Sequence, residues 1–307
     1  MKNLTVFSYN LHEFVRDLAK KSTESDITLY NRKDSDAVYT FISPTKFPDK
    51  ISSLSDSIFP SDIAIVNGDV IDREFGECIV ALDLFGVSKG SFIISPGKEE
   101  NIERIRGIVS KTSLKNYGFF SGSPMEFLSV LEKSEHRPKF SETTVIIDHF
   151  FKVKSVGTVV LGFVLGGKLE KHQKLNVSYL DREVQVRSIQ IQDEDFESAE
   201  SGTRVGIALK NVEADEIERG FFLTPGKPAY SSDLDGKLEL HPTSRIQANT
   251  DFEVFAADTM RYQRGRYQSG SVTLDRKIAL LKDPIVLASP NASPRFIGKI
   301  HASSSQP

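Results

Sequence analysis

The chain has a single cysteine, Cys78. An internal disulfide and a cysteine-built zinc cluster are therefore both excluded. Cys78 itself is expected to sit in a helix as a small buried apolar side chain. No apolar run reaches 18 residues, so no ordinary membrane-crossing helix is predicted. Met1-Lys2-Asn3-Leu4-Thr5-Val6 enters a strand pattern directly, without the look of a signal peptide, and the expected location is cytoplasmic. Charge of one sign is lacking as well. There are 18 basic against 20 acidic residues over 1–140, 11 against 14 over 141–228, and 10 against 8 over 229–307, for a net charge of −3. None of these segments is a polycationic nucleic-acid binder, so any RNA contact must be local, and neither DNA nor a membrane is an expected partner.

The six histidines show no metal-ligating spacing, and no metal or cofactor is expected. Asp193-Glu194-Asp195 is read as a solvated loop rather than a metal site, because neighbouring residues in a strand or tight loop point in different directions.

At 307 residues, 39% of them hydrophobic, the chain is long enough for two or three domains with packed cores. Over 1–135, short apolar runs at Leu4–Phe7, Ile27–Tyr30, Val38–Ile42, Ile63–Val66, Ser91–Ile94 and Tyr117–Phe120 alternate with helically spaced segments such as Glu74–Phe85 and Glu99–Val109. Ser123-Pro124-Met125-Glu126 is a capping box with proline at the first helical position, which predicts a helix to about Lys133. This alternation predicts a mainly parallel sheet with helices on both faces.

From 145 to 223 the pattern turns to strands. Val145-Ile146-Ile147 and Val159-Val160-Leu161 are β-branched runs, and Glu183–Ile191 reads as a nine-residue alternation. An open sheet of this size would expose its edges, so closure into a small barrel is predicted. Charged 133–140, ending near Pro138, and Thr224-Pro225-Gly226-Lys227-Pro228 mark breaks. They divide the chain into 1–135, 140–224 and 229–307. Strand-like segments at Thr250–Ala256, Gly270–Leu274, Lys277–Leu281, Pro284–Ala288 and Arg295–Ile300 fill the last part, and the tail Ala302–Pro307 is expected to fray.

Four ordered blocks carry a family resemblance: Ser155–Gly162, Val186–Gln190, Ser201–Leu209 and Ile217-Glu218-Arg219-Gly220. Together they resemble the second domain of translational GTPases, elongation factor Tu and the selenocysteine-specific elongation factor above all. Phe75–Val87 resembles the helix before that family's guanine-binding strand. The resemblance implies an α/β domain of the P-loop GTPase type followed by two β-barrels. In such a GTPase the loop after the first strand reads Gly-x4-Gly-Lys-Ser/Thr, because glycines let backbone amides surround the phosphates and the lysine neutralises them. Here it reads Ser8-Tyr9-Asn10-Leu11-His12-Glu13-Phe14-Val15. Ser43-Pro44-Thr45-Lys46 stands where Asp-x-x-Gly belongs, and Ser95-Pro96-Gly97-Lys98 where Asn-Lys-x-Asp belongs. The expected α/β domain is therefore degenerate, with no GTPase activity.

In the family, the second domain holds the 3′ end of aminoacyl-tRNA and the third holds the acceptor and T stems. By the resemblance, Asp148 falls on an acidic residue that contacts the terminal adenosine, and Val164 on an apolar residue of the same pocket. Gln190, Asp193 and Arg204 fall near the aminoacyl ester, with different residue types. A separate RNA-binding candidate is Arg261-Tyr262-Gln263-Arg264-Gly265-Arg266-Tyr267, the densest basic and aromatic cluster. If it is extended, Tyr262, Arg264 and Arg266 share one face, suited to phosphate contact and base stacking. The expected function is a translation factor paralogue without a working GTP site that binds tRNA, the ribosome or a translation protein. The alternatives are a GTPase with a non-standard nucleotide site and a protein-interaction scaffold.

Overall fold

The computed structural model describes residues 2–247, 249–257 and 259–301; Met1 and the tail Ala302–Pro307 lie outside the described residues. The first part is an α/β domain with strands β1 (Lys2–Tyr9), β2 (Lys20–Glu24), β3 (Thr28–Lys33), β4 (Ala37–Ser43), β5 (Ile63–Asn67), β6 (Gly90–Ile93) and β7 (Gly118–Phe120). They form one sheet in the order β2-β3-β4-β1-β5-β6-β7. The ladders from β4 through β1, β5 and β6 to β7 are parallel, while β2, β3 and β4 pair antiparallel.

Helices cover both faces. On one face α1 (His12–Leu18) and α5 (Pro124–Lys133) bury Val15, Leu18, Phe127 and Leu131. On the other, α2 (Ile51–Ile58), α3 (Arg73–Phe85) and α4 (Asn101–Val109) bury Leu54, Ile58, Phe75, Leu82, Ile105 and Val109. The capping box of α5 forms as its sequence predicts, with Ser123 N donating to Glu126 Oε2 at 2.7 Å and Glu126 N donating to Ser123 Oγ at 3.4 Å. Cys78 is a free, buried residue of α3.

Next comes a closed barrel. Its strands are β8 (Thr144–Val153), β9 (Gly157–Gly166), β10 (Lys168–Glu170), β11 (Lys174–Val177), β12 (Arg182–Ile191), β13 (Glu194–Phe196), β14 (Ser198–Glu200), β15 (Arg204–Lys210) and β16 (Phe222–Thr224). The circuit runs β11-β16-β8-β9-β15-β12 and returns to β11 through the β11–β12 ladder, so no strand of the ring is left with an open edge. The alternation expected along Glu183–Ile191 is not strict. Val184 and Val186 point inward, then the phase changes so that Ile189 is buried, and a bulge between Val186 and Ser188 takes up the extra residue.

The last part differs from a second full barrel. Strands β17 (Tyr230–Asp235), β18 (Leu238–Leu240), β19 (Phe252–Ala257), β20 (Tyr262–Gln268), β21 (Ser271–Ala279), β22 (Ile285–Ala288) and β23 (Phe296–Ile300) form a curled half-barrel, in the order β17-β21-β20-β19-β22-β23-β18. Its two edges are consecutive in the chain, joined through Gly236 and Lys237, so the connection and not a ladder brings the ends together. The segments expected as separate strands at 270–274 and 277–281 are one strand, β21.

One apolar cluster spans all three parts. It contains Phe7 and Phe92 of the first sheet, Phe163 and Phe222 of the barrel, and Met260, Val286 and Phe296 of the half-barrel.

Candidate functional site

The loops at the carboxyl ends of the parallel strands are where an open α/β sheet places its ligand. Only Asn10 and Leu11 separate β1 from α1, and Asn10 adopts φ 53°. Asn67 at the end of β5 donates from Nδ2 to Asn10 O at 2.9 Å. Asp69 accepts from Ser95 N at 2.8 Å and from Ser95 Oγ at 2.5 Å. Asn101 at the start of α4 donates to Gly68 O and Asp69 O, both at 2.9 Å. The Tyr9 ring packs edge-on against Phe47 at 5.9 Å, and Phe14 packs against Phe127 of α5 at 5.8 Å. These loops are thus joined to one another by their own side chains.

A second site lies between the α/β domain and the barrel. Lys20 and Lys21 on β2, Phe151 on β8, Gln190 and Asp193 around the β12–β13 turn, and Arg204 on β15 border a cleft of about 650 Å³. Gln192 and Asp193 form the turn itself, both with positive φ. Gln190 Nε2 donates to Asp195 Oδ1 at 3.0 Å, and Lys33 meets Glu194 at 2.8 Å across the domain boundary. Three of the residues expected near an aminoacyl ester, Gln190, Asp193 and Arg204, are therefore brought to one opening. The two lysines of its opposite wall carried no sequence signal, since a Lys-Lys pair becomes a site only when β2 is folded beside the barrel.

Asp148 and Val164, expected at the same pocket, are interior residues and present no surface. Val164 lies in the barrel core, while its neighbours Phe163 and Leu165 face the cluster under the α/β domain, so β9 is covered on both sides here. The Asp148 side chain is fully buried; its Oδ2 accepts from Arg204 Nη2 at 3.0 Å and lies 3.3 Å from His149 Nδ1. Burial alone would raise its pKa, but the Arg204 guanidinium and the His149 contact outweigh burial and hold it down to about 2. Asp148 is the counter-ion that fixes Arg204 at the rim of the cleft.

The Arg261–Tyr267 segment is Arg261 followed by nearly all of β20, and it divides in two. Arg261 lies over the Tyr179 ring at 4.3 Å and the Phe221 ring at 4.8 Å, and pairs with Glu218 at 3.0 Å. Tyr262 donates its hydroxyl to Ser55 Oγ of α2 at 2.7 Å. Both are spent on joining domains, which corrects the expectation that they face RNA: their rings and charges already have protein partners on neighbouring units. Arg264 and Arg266 are exposed as the strand alternation predicts, with Arg264 paired to Glu253 across β19. An opening of about 530 Å³ beside Arg264 is bordered by Arg219, Arg264 and Arg276 and does not include Arg266. Among the described residues no group of three His, Cys, Asp or Glu side chains is placed to hold a metal ion.

Comparison with known proteins agrees with this architecture. Residues 157–224 match the family described as elongation factor Tu domain 2. An uncharacterized protein of Methanocaldococcus jannaschii, MJ0325, is 37% identical over 247 residues, which cover 79% of each chain. The selenocysteine-specific elongation factor of the same organism is 46% identical over 78 residues, 25% of this chain but 17% of that protein. Among solved structures, translation elongation factor SelB from Methanococcus maripaludis in complex with the GTP analogue GPPNHP superposes with a TM-score of 0.80 at 19% identity, over 98% of this chain and 78% of that one. A bacterial selenocysteine-specific elongation factor gives a TM-score of 0.78 at 19% identity over 98% of this chain, which spans 58% of that protein.

Proposed function

This chain belongs to the translational GTPase superfamily, in one family with its 37% identical Methanocaldococcus relative, and on that premise we propose that it is an elongation-factor-like translation protein that acts without GTP. The observation that carries this reading is the β1–α1 connection. A phosphate cradle needs a glycine-rich loop with free amides and a lysine. Here two residues without glycine make the connection, Phe14 packs away against α5, and Asn10 O is taken by Asn67.

The partner under this reading is RNA of the translation machinery, held locally at the arginine-bordered opening of the half-barrel and at the cleft beside Arg204. The cleft offers Lys20, Lys21 and Arg204 to an anionic or ester-bearing end, and Arg264 and Arg266 stand free of the core for backbone phosphates.

Titration calorimetry with GTP and magnesium tests the first half: no saturable heat is expected, and a micromolar, magnesium-dependent Kd would establish a non-standard nucleotide site instead. For the second half, the Arg264→Ala/Arg266→Ala protein should bind total tRNA more weakly, with a log-log salt slope smaller by up to about two. An unchanged slope, together with protein but no RNA in a lysate pull-down, would leave an interaction scaffold as the function.

A further inference from the structure

His136 lies in the connection between α5 and β8, and both of its ring nitrogens are held at 2.7 Å. Nδ1 faces Asp62 Oδ1, just before β5, and Nε2 faces Ser201 Oγ, between β14 and β15. The other Asp62 oxygen accepts from Thr5 N at 2.9 Å and Thr5 Oγ1 at 2.8 Å, so the carboxylate is anchored independently of the histidine. Exposure is graded along the row: the Asp62 side chain is 3% exposed, His136 15%, and Ser201 is half-buried in a turn whose next residue, Gly202, takes φ +89°.

The hydrogens can be assigned by elimination. A carboxylate only accepts, so Nδ1 carries the N–H. When the imidazole is neutral it has one such hydrogen, which leaves the Nε2 lone pair facing Ser201 and makes the serine hydroxyl its donor. This is the order of hydroxyl, base and orienting acid that makes a serine nucleophilic. A tie between domains would need the same two bonds, so the two roles are separated by the reactivity of Ser201 Oγ and not by the geometry.

We propose that Ser201 is an activated nucleophile for acyl esters, with His136 as its base and Asp62 as the positioning residue. Ser201 Oγ bonds to the acyl carbon as its proton passes to His136 Nε2. The carbon–oxygen bond to the alcohol then breaks, and the alcohol leaves with that proton. Water attacks the seryl ester, His136 takes one proton from it and returns it to Ser201 Oγ, and the carboxylic acid is released. The amide of the next residue, Gly202, donates to Val164 O at 2.8 Å and is not free to steady the oxyanion. Acylation and deacylation both pass through an oxyanion, so both are expected to be slow; an ester with a good leaving group acylates faster than the seryl ester hydrolyses, leaving a persistent seryl ester.

The test uses the full chain with a fluorophosphonate probe, read by intact mass and peptide mapping, and with p-nitrophenyl acetate for a burst. One label on Ser201 is expected. It should vanish in Ser201→Ala, which deletes one hydroxyl and is not expected to unfold the domain, and fall at least about 100-fold in rate in His136→Gln. A second measurement does not depend on the probe: in Ser201→Cys the introduced thiol should react with iodoacetamide at least about tenfold faster than in Ser201→Cys/His136→Gln. No label on the folded protein, equal labelling of Ser201→Ala, or alkylation indifferent to His136 would each reduce the row to a structural tie.

Discussion

Arg204 serves two environments at once, the rim of the cleft and the buried carboxylate of Asp148. Removing the guanidinium leaves a buried charge without its partner, a change that costs about 3–5 kcal/mol. Arg204→Leu should therefore lower the urea midpoint strongly. The pH dependence should also change sign. With Arg204 present, the folded pKa of Asp148 lies below its unfolded value, so its contribution is present above about pH 4 and is lost as pH falls toward 2. Without Arg204, burial dominates and raises the carboxyl, so stability at this site should instead fall as pH rises through the unfolded value. Denaturation midpoints between pH 3 and 7 for both proteins check this; parallel curves would contradict it. At Gly220, φ is +83° and an added Cβ would lie 2.9 Å from Met260 C. Gly220→Ala should cost about 1–3 kcal/mol by the same measurement.

At the scale of elements, α5 was legible because its first turn carries its own instructions in Ser123, Pro124 and Glu126. Ser123→Ala should cost about 1 kcal/mol of stability by chemical denaturation, with helix content retained by circular dichroism. By contrast, α2, with the sequence Ile51-Ser52-Ser53-Leu54-Ser55-Asp56-Ser57-Ile58, went unread because serine is a weak helix former whose hydroxyl competes for backbone groups. In the fold those hydroxyls are absorbed: Ser57 donates to Ser53 O at 2.8 Å, Ser53 to Asp26 O at 2.6 Å, and Ser55 receives the Tyr262 hydroxyl. The bulge in β12 was foreshadowed by the phase change after Val186, a signal that period-two reading tends to smooth over.

At the scale of the whole molecule, the three parts share buried contacts as well as a chain. Glu77 of α3, 3% exposed, receives Arg295 Nε at 2.8 Å and Nη2 at 3.0 Å from the half-barrel. His241 meets Asp83 at 3.2 Å, and Arg219 of the barrel reaches Asp26 at 2.5 Å. With one apolar cluster running through all three parts, calorimetry should show a single cooperative unfolding transition; two separated transitions would contradict that coupling. Arg295→Ala should cost about 3–5 kcal/mol and leave the half-barrel the first part to loosen, read as a rise in the scattering radius of gyration below the main transition. On the reading that the chain acts without GTP, small-angle scattering of the unaltered protein should be insensitive to GTP, because a domain swing of the family's kind is driven by loops that a phosphate orders.

What the sequence determined by itself was local or periodic: the strand and helix alternation of the first domain, the closed barrel, the capped α5, and the common face of Arg264 and Arg266. Such features need only neighbours along the chain. The tertiary structure alone decided which charges face a cleft and which are consumed. Val164 turned inward because β9 is covered on both sides, and Asp148 on β8 is buried against Arg204. Tyr262 was drawn to α2, a helix about 200 positions away in sequence. Lys20 and Lys21 became the far wall of a site, and Asp62, His136 and Ser201 met although they lie far apart in the chain. Those juxtapositions depend on how three parts of the chain pack against one another, and side-chain pairing across such interfaces leaves no periodicity to read.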